Sequence, residues 1–193
     1  DGNGIIVDFT KHPVQVRNNI VYRNQGSGIT ITESTGGFVL NNTAVENGEG
    51  ATDPSNGAGL RIFGAASVDS VVSSNLLQMN ANAGLFLNSA GNLKQKYIDH
   101  NIYVSPAGMP IVRVGASPGG QAFFTIDEIR KVSSFERNGL GGGPGFLMLD
   151  PRFSPLPGSP AIDAGSPIHH AADDYSGAPR SGVPDVGAHE AVP

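Results

Sequence analysis

Val16-Arg17-Asn18-Asn19 is the first copy of a phrase that returns three more times along the chain. The later copies are Val39-Leu40-Asn41-Asn42, Val72-Ser73-Ser74-Asn75 and Ile98-Asp99-His100-Asn101. Their final asparagines lie 23, 33 and 26 residues apart. A period of this size is typical of stacked structural repeats.

A second phrase alternates with the first. Its copies are Gly4-Ile5-Ile6-Val7, Gly28-Ile29-Thr30-Ile31, Gly59-Leu60-Arg61-Ile62 and Gly84-Leu85-Phe86-Leu87. Aliphatic residues two positions apart share one face of a strand, so each repeat carries at least two short half-buried strands. Stacking pairs each strand in parallel with its copy one turn later, through a right-handed crossover. The sequence therefore predicts an all-β fold, a right-handed parallel β-helix (solenoid) of about four to five coils.

The recurring asparagines Asn19, Asn42, Asn75 and Asn101 align in one column of such a solenoid. An amide side chain can donate to the amide on one side and accept from the amide on the other. We expect an internal asparagine ladder that holds the coils in register and has no ligand to bind.

The chain divides into three parts. Residues 1–115 carry the coils, with an insertion at residues 46–57 that accounts for the 33-residue spacing. Residues 116–140 contain a helix over 125–137, because Thr125 and Glu128 form a capping box at its start. Residues 141–193 are an irregular tail that we expect to pack on the last coils.

Composition narrows the function classes. The chain has 193 residues, a formal net charge of −5 and no cysteine. The acidic balance argues against a nucleic-acid partner, and the lack of cysteine excludes disulfides and thiolate metal sites. No apolar run approaches the length of about 20 residues that spans a bilayer.

Phrases in the tail carry a resemblance to a known group of proteins. Asp150-Pro151-Arg152-Phe153, the stretch 159–165 (SPAIDAG) and the stretch 184–190 (PDVGAHE) resemble the C-terminal signature of secreted bacterial right-handed β-helix proteins of the pectate-lyase-like superfamily. The opening stretch 1–8 (DGNGIIVD) resembles the middle of such proteins. The resemblance implies a secreted or cell-surface bacterial protein with a polysaccharide partner. Its members include lyases, hydrolases, epimerases and noncatalytic surface proteins.

Because the repeats start at the first residues, we expect a preceding segment or a second chain to stack on the first coil. The substrate site should then lie on the outer faces of the coils. The outward column there reads Thr30, Arg61, Phe86 and, with a one-residue shift, Arg113; the next column holds Phe63 and Asn88. An arginine beside aromatic rings is a suitable platform for acidic sugars.

The resemblance implies a lyase acting by β-elimination, in which a cation neutralises the uronate carboxylate and a base removes the C5 proton. The predicted catalytic residues are Lys11, His12, Arg61 and Arg113. Thr30, Phe63, Phe86 and Asn88 are the predicted substrate-binding residues. The candidate cofactor is Ca²⁺, with Asp1, Asn3 and Asp8 as its oxygen ligands. The tail offers a further set of metal-ligand types in His169, His170, Asp173 and Asp174.

Two hypotheses from different classes follow. In the first, the chain is part of a secreted polysaccharide lyase acting on a uronate-containing polymer. In the second, it is a noncatalytic β-helix that binds glycans or serves as a surface module. A glycosidase, which needs two facing carboxylates, fits less well because the outward columns hold few acids.

Overall fold

A computed structural model describes residues 2–53, 55–88, 93–115 and 120–191. The strands form three sheets, with one short helix near the end of the stack. The first sheet contains β1 (Ile5–Asp8), β4 (Ile29–Thr32), β7 (Leu60–Phe63), β10 (Leu85–Leu87), β13 (Val112–Val114) and β14 (Gln121–Phe123). The second contains β2 (Gln15–Arg17), β5 (Phe38–Leu40), β8 (Val71–Ser73) and β11 (Tyr97–Asp99). The third contains β3 (Ile20–Tyr22), β6 (Thr43–Val45), β9 (Leu76–Gln78), β12 (Ile102–Val104) and β15 (Leu140–Gly142). The helix α1 spans Ile126–Val132.

Each coil takes one strand from each sheet, and each strand pairs in parallel with its copies in the coils above and below. The recurring phrases keep their alignment, since Ile29 pairs with Leu60 and Val39 pairs with Val72. β14 breaks the pattern by pairing antiparallel with β13. The predicted parallel β-helix is confirmed, and the described part of the chain contains four three-stranded coils and a partial fifth.

The interior of the coils is filled by aliphatic side chains from all three sheets. Ile29, Ile31, Leu60 and Ile62 are each at most 1% exposed, because alternate strand positions point inward. These residues belong to one continuous apolar cluster that also includes Val39 and side chains from every coil. Stacking therefore buries a core that no single coil could bury alone.

The asparagines of the first phrase form an uninterrupted column of side-chain hydrogen bonds. The Nδ2 of Asn19 donates to the Oδ1 of Asn42 at 2.9 Å, and Asn42 donates to Asn75 at 3.0 Å. Asn75 donates in turn to Asn101 at 2.9 Å. Each Nδ2 from Asn42 onward also donates to a backbone carbonyl of the preceding coil, as Asn75 does to Val39. The column thus satisfies buried backbone groups at the turn as well as its own amides.

A second column, which we did not predict, runs parallel to the first. Asn24 donates to Asn47 at 2.8 Å, and Asn47 donates to Asn80 at 2.9 Å. These residues share the 23- and 33-residue spacing of the first column. The sequence therefore contained the signal, at the turn that follows the third sheet.

A buried carboxylate ends the first column. The Oε1 of Glu136 accepts from the Nδ2 of Asn101 at 2.8 Å and from the hydroxyl of Tyr103 at 2.6 Å. Glu136 is 1% exposed, and this burial raises its pKa to about 7 against the opposing effect of its hydrogen bonds. The last amide of the ladder thereby gains an acceptor where no further coil supplies one.

The helix begins as predicted and ends early. Thr125 is its N-cap, and the capping box with Glu128 is confirmed. The helix ends at Val132, and Ser133 is extended, whereas we expected it to continue to residue 137. The chain leaves the helix because Phe135 must reach the core and Glu136 must reach the ladder.

The tail runs back along the turn between the second and third sheets, well beyond the last coils on which we expected it to pack. The Ser166 backbone N–H donates to Ser74 of the third coil, and that of Ala171 donates to Asn41 of the second. Asn18 of the first coil donates to the Asp173 carbonyl at 2.7 Å. The tail therefore contacts at least three coils in reverse order.

Two features hold the tail in place. A second apolar cluster forms where Leu147, Ala161 and Val186 of the tail pack against strands of the third sheet such as β9 and β12. The Arg180 side chain, 1% exposed, forms an ion pair with Glu190 at 2.9 Å and donates to the carbonyls of Gly187 and Ala188. A single guanidinium thus organises a segment that has no regular secondary structure.

Candidate functional site

The insertion covers part of the outer face of the first sheet. Its neck is closed by Gly48 and Gly57, at φ values of +92° and +84°. A Cβ on Gly48 would lie 2.3 Å from the Gly57 Cα, so only glycine permits this approach. Inside the loop, Asp53 accepts from the Ser55 backbone N–H and from its hydroxyl, both at 2.8 Å. The loop therefore has a defined conformation, which its glycine neck and its internal hydrogen bonds hold.

Arg61, in the middle of β7, is buried beneath this loop. Its side chain is 8% exposed and its guanidinium carbon lies 3.9 Å above the centre of the Phe63 ring. One terminal nitrogen donates to the Ser55 hydroxyl at 2.9 Å and lies 4.0 Å from an Asp53 oxygen. The Nε of Arg61 is buried and has no hydrogen-bond partner among the residues that the structure describes.

The electrostatics of Arg61 follow from this geometry. Burial lowers the pKa of the guanidinium, and the nearby Asp53 carboxylate opposes that effect only in part. A desolvated cation with an unused donor is costly unless an anion or an acceptor completes its shell. Arg61 also lines a cavity of about 270 Å³ with Gln25, Thr52 and Asp53. We call this cavity the Arg61 pocket.

The other residues of the predicted outward column are in register with Arg61, but most of them are buried. Thr30 and Phe86 pair with Arg61 from the strands on either side, and Arg113 follows Phe86. Thr30 is 2% exposed and Phe86 is 0% exposed. We expected both to be open to a substrate, and that expectation is wrong for the molecule as it stands. Outward position on a sheet does not ensure exposure when loops and long neighbouring side chains cover the face.

The neighbouring column remains partly open. Phe63 and Asn88 are both partly exposed, and the Asn88 backbone N–H donates to the Ile62 carbonyl at 2.9 Å. The Phe63 ring serves first as the support of the Arg61 guanidinium. Arg113 is also partly exposed, with a buried Nε that has no partner within the described ranges.

The other predicted residues lie apart from the Arg61 pocket. Lys11 and His12 are exposed in the turn after β1, where the His12 backbone N–H donates to the Thr10 hydroxyl at 3.2 Å. Neither lines the Arg61 pocket. The structure therefore does not bring the predicted base and the best-placed cation together.

The predicted calcium ligands do not gather. Asp8 is exposed at the end of β1, and Asn3 uses its Oδ1 to accept from the Ser27 backbone N–H at 2.8 Å. Asp1 lies outside the described residues. Within the described ranges no three His, Cys, Asp or Glu side chains are grouped so that they could hold a metal ion. The calcium expectation therefore has no support in this part of the chain.

The tail residues of metal-ligand type have structural partners. Asp173 pairs with Arg17, and Asp174 accepts from the Ser176 backbone and hydroxyl. His170 Nδ1 lies 2.8 Å from the Ser166 carbonyl, and the His169 ring packs edge-on against Tyr97 at 4.6 Å. The contacts of Asp173 and His169 join the tail to the coils, whereas those of Asp174 and His170 lie within the tail.

The coils match a known protein family. Residues 1–117 match the family model described as NosD, periplasmic copper-binding protein. The matched segment is more than half of the 193 residues and includes all four coils. The chain belongs to this family. No curated protein is similar enough to this chain to count as a relative. The periplasmic description of the NosD family agrees with the expected secreted or cell-surface location, while membership of the pectate-lyase-like superfamily stays a prediction.

The described residues do not fit a copper centre of the usual donor types. Copper sites in proteins draw on thiolate, thioether and imidazole ligands. The chain has no cysteine, and two of its three methionines, Met109 and Met148, are about 40% exposed on the surface. His100 and His169 both pack against Tyr97, and His100 Nδ1 lies 3.1 Å from the Tyr97 hydroxyl.

Among the described residues no helix is both long and apolar enough to cross a bilayer.

Proposed function

We propose that this chain is a noncatalytic β-helix module of the bacterial cell envelope that binds an acidic sugar through Arg61. The observation that carries the proposal is the buried guanidinium, which lines the Arg61 pocket and whose Nε donates to none of the described residues. A uronate carboxylate supplies a directly hydrogen-bonded anion in addition to Asp53, which lies 4.0 Å away. A planar guanidinium is well suited to a carboxylate because it can donate two parallel hydrogen bonds.

The size and composition of the Arg61 pocket support one sugar unit. Its volume of about 270 Å³ falls just below the usual range for small-molecule sites, and so accommodates about one pyranose ring. Gln25, Thr52 and Asp53 line it with groups that can hydrogen-bond to hydroxyls. The pocket is therefore suited to a chain end or a single protruding residue of a polysaccharide.

Binding is favoured over lyase chemistry by what the pocket contains. β-Elimination needs a deprotonated base within hydrogen-bond reach of the C5 proton. Among the described residues that line the Arg61 pocket, Arg61 is the only basic side chain, and it is engaged with Ser55 and Asp53. The other predicted catalytic residues are Lys11, His12 and Arg113, and none of them lines the pocket.

Calorimetric titration with trigalacturonate and with galacturonate tests the proposal. We expect both to bind the wild-type chain, and Arg61→Met to weaken binding about 10- to 100-fold, the effect of losing a charge-assisted hydrogen bond. Arg61→Met should fold, because a buried charge is replaced by an apolar chain of similar length. Arg113→Met is the matched control, since Arg113 lies in the same column but not in the pocket.

Two results would count against the proposal. Equal affinities of wild type and Arg61→Met would remove Arg61 from the site. Accumulation of the ultraviolet-absorbing unsaturated uronate during incubation with polygalacturonate or alginate would restore the lyase hypothesis in place of the noncatalytic one.

A further inference from the structure

A second groove lies on a different face, where the tail crosses the first two coils. It has a volume of about 730 Å³ and is lined by Tyr22 of β3, Phe153 and Tyr175 of the tail, and His189. Tyr22 is 55% exposed and Tyr175 is 57% exposed. We call this feature the tyrosine groove. We propose that the tyrosine groove binds an oligosaccharide chain by stacking pyranose rings on Tyr22 and Tyr175.

The rings of the tyrosine groove occur as two aromatic pairs. Tyr22 lies 5.5 Å from Phe153, and Tyr175 lies 5.2 Å from His189 in an edge-to-face arrangement. Each pair supports one exposed tyrosine, so that its ring is held in place without a ligand. Side chains that are fixed before binding lose little entropy when a ligand arrives.

The backbone beneath these rings is also fixed. Asp150 accepts from the backbone N–H groups of Arg152 and Ser154, both at 2.8 Å, which holds the turn that presents Phe153. The buried Asp174 accepts from the Ser176 and Ala178 backbone N–H groups at 2.8 and 3.0 Å. Tyr175 itself donates through its backbone N–H to the Ala188 carbonyl at 2.7 Å. The irregular tail therefore shapes this groove with defined turns.

The chemistry of the groove fits a sugar. A tyrosine ring offers an apolar face to the C–H face of a pyranose and a hydroxyl to its edge. Arg23 and Glu46, joined by an ion pair at 2.7 Å, line the same groove. This pair offers both donors and an acceptor, which matches hydroxyl groups that both accept and donate. The volume suits more than one sugar unit.

A proline-rich peptide is the main rival, since aromatic grooves also bind such segments. Proline offers carbonyl acceptors and no N–H donor, so the Glu46 carboxylate would gain nothing from it. Sugar hydroxyls can use both members of the Arg23–Glu46 pair. The observations therefore favour the oligosaccharide.

Intrinsic tyrosine fluorescence gives a direct test, because the chain has four tyrosines and no tryptophan. Cellohexaose, chitohexaose and xylohexaose are the probes. We expect at least one to change the emission in a saturable manner. Tyr22→Ala or Tyr175→Ala should weaken that binding about tenfold, while Tyr97→Phe, on β11 and outside the groove, should leave it unchanged.

The controls separate this groove from the Arg61 pocket. Arg61→Met should bind the hexasaccharide with wild-type affinity, and Tyr175→Ala should keep wild-type affinity for galacturonate. The proposal is overturned if none of the three hexasaccharides binds at millimolar concentration, or if an oligoproline peptide binds and they do not. It is also overturned if both tyrosine variants, shown to be folded by circular dichroism, bind as tightly as wild type.

Discussion

The coils and the tail of this protein satisfy the hydrogen bonds of their buried polar groups in opposite ways. In the coils, copies of one residue type satisfy each other, as Asn42 and Asn75 do in successive turns. In the tail, one residue serves many partners, since Arg180 alone contacts Glu190 and several carbonyls. The asparagine ladder spreads its stabilising hydrogen bonds over the stack of coils. Arg180, which we call the hub of the tail, concentrates the stabilising contacts of the tail at one position. The two regions should therefore respond very differently to single substitutions.

The comparison also bears on the two proposed binding sites. Repetition gives the coils a uniform surface, and both cavities proposed as binding sites arise where a non-repeating segment covers that surface. The insertion forms the Arg61 pocket, and the tail forms the tyrosine groove. The repeats supply the scaffold, and the segments that depart from the repeat form both proposed sites.

The largest expected effect is loss of the hub. Arg180→Met removes the partner of Glu190 and leaves buried carboxylates without their cation, so we expect the free energy of unfolding to fall by about 3–5 kcal/mol. Urea denaturation measures this loss, and faster chymotryptic cleavage in the tail locates it. Arg137→Met, at an exposed position with one long hydrogen bond, is the control and should change stability by less than about 0.5 kcal/mol. If the Arg180→Met variant were as stable as the control, Arg180 would not be the residue that stabilises the tail.

The next effect is a dependence of stability on pH at the capped end of the coils. Burial raises the pKa of Glu136 to about 7, whereas the unfolded chain has the ordinary value near 4.5. The folded state then holds its proton over a range in which the unfolded state has lost it. The contribution of Glu136 is therefore complete below about pH 4.5, declines by about 3 kcal/mol as pH rises to about 7, and is constant above that.

Glu136→Gln should abolish this slope. The amide oxygen can still accept from Asn101 and Tyr103, but the side chain no longer titrates. Urea denaturation of both proteins at several pH values compares the slopes. If the variant and the wild type lose stability in parallel between about pH 4.5 and 7, the dependence comes from other groups.

Smaller effects are expected within the ladder. Asn75 is 1% exposed and its amide bonds both neighbouring amides and the Val39 carbonyl, so Asn75→Ala should cost about 1–3 kcal/mol. Asn19, at the edge of the column and partly exposed, is the matched position, and Asn19→Ala should cost less. Chemical denaturation of the two variants gives the comparison. Equal losses at the two positions would contradict the expectation that the buried middle of the ladder contributes more than its edge.

Much of the fold could be predicted because the repeats carry it. The alternation of residues such as Ile29 and Ile31 places them inside, and the fixed spacing of Asn42 and Asn75 places them in a column. The second column at Asn47 and Asn80 was equally available in the spacing. The alternation within a strand is a local pattern and the spacing of the asparagines is a periodic one, and both can be read directly from the sequence.

The site could be predicted only in part, for a physical reason. The register of Arg61 follows from the repeat, but its burial depends on the insertion folding over it, and an insertion has no copy in the other coils. Glu136 acts through Asn101, 35 residues away, and Arg180 acts through Glu190, 10 residues away in an irregular segment. Neither pairing leaves a periodic trace. Thr30 and Phe86 were misjudged for the same reason, since exposure depends on what covers a face.

The central claim is that the repeats are a scaffold and that the acidic ligand binds beneath the insertion. Backbone hydrogen exchange, measured with and without saturating trigalacturonate, tests this claim most directly. We predict slower exchange at backbone amides of the insertion and of β7 beside Arg61, with unchanged exchange in the tail at 151–153 and 174–176. The account would be contradicted if the ligand slowed amide exchange only in the tail. It would also be contradicted if the ligand bound without slowing amide exchange in the insertion.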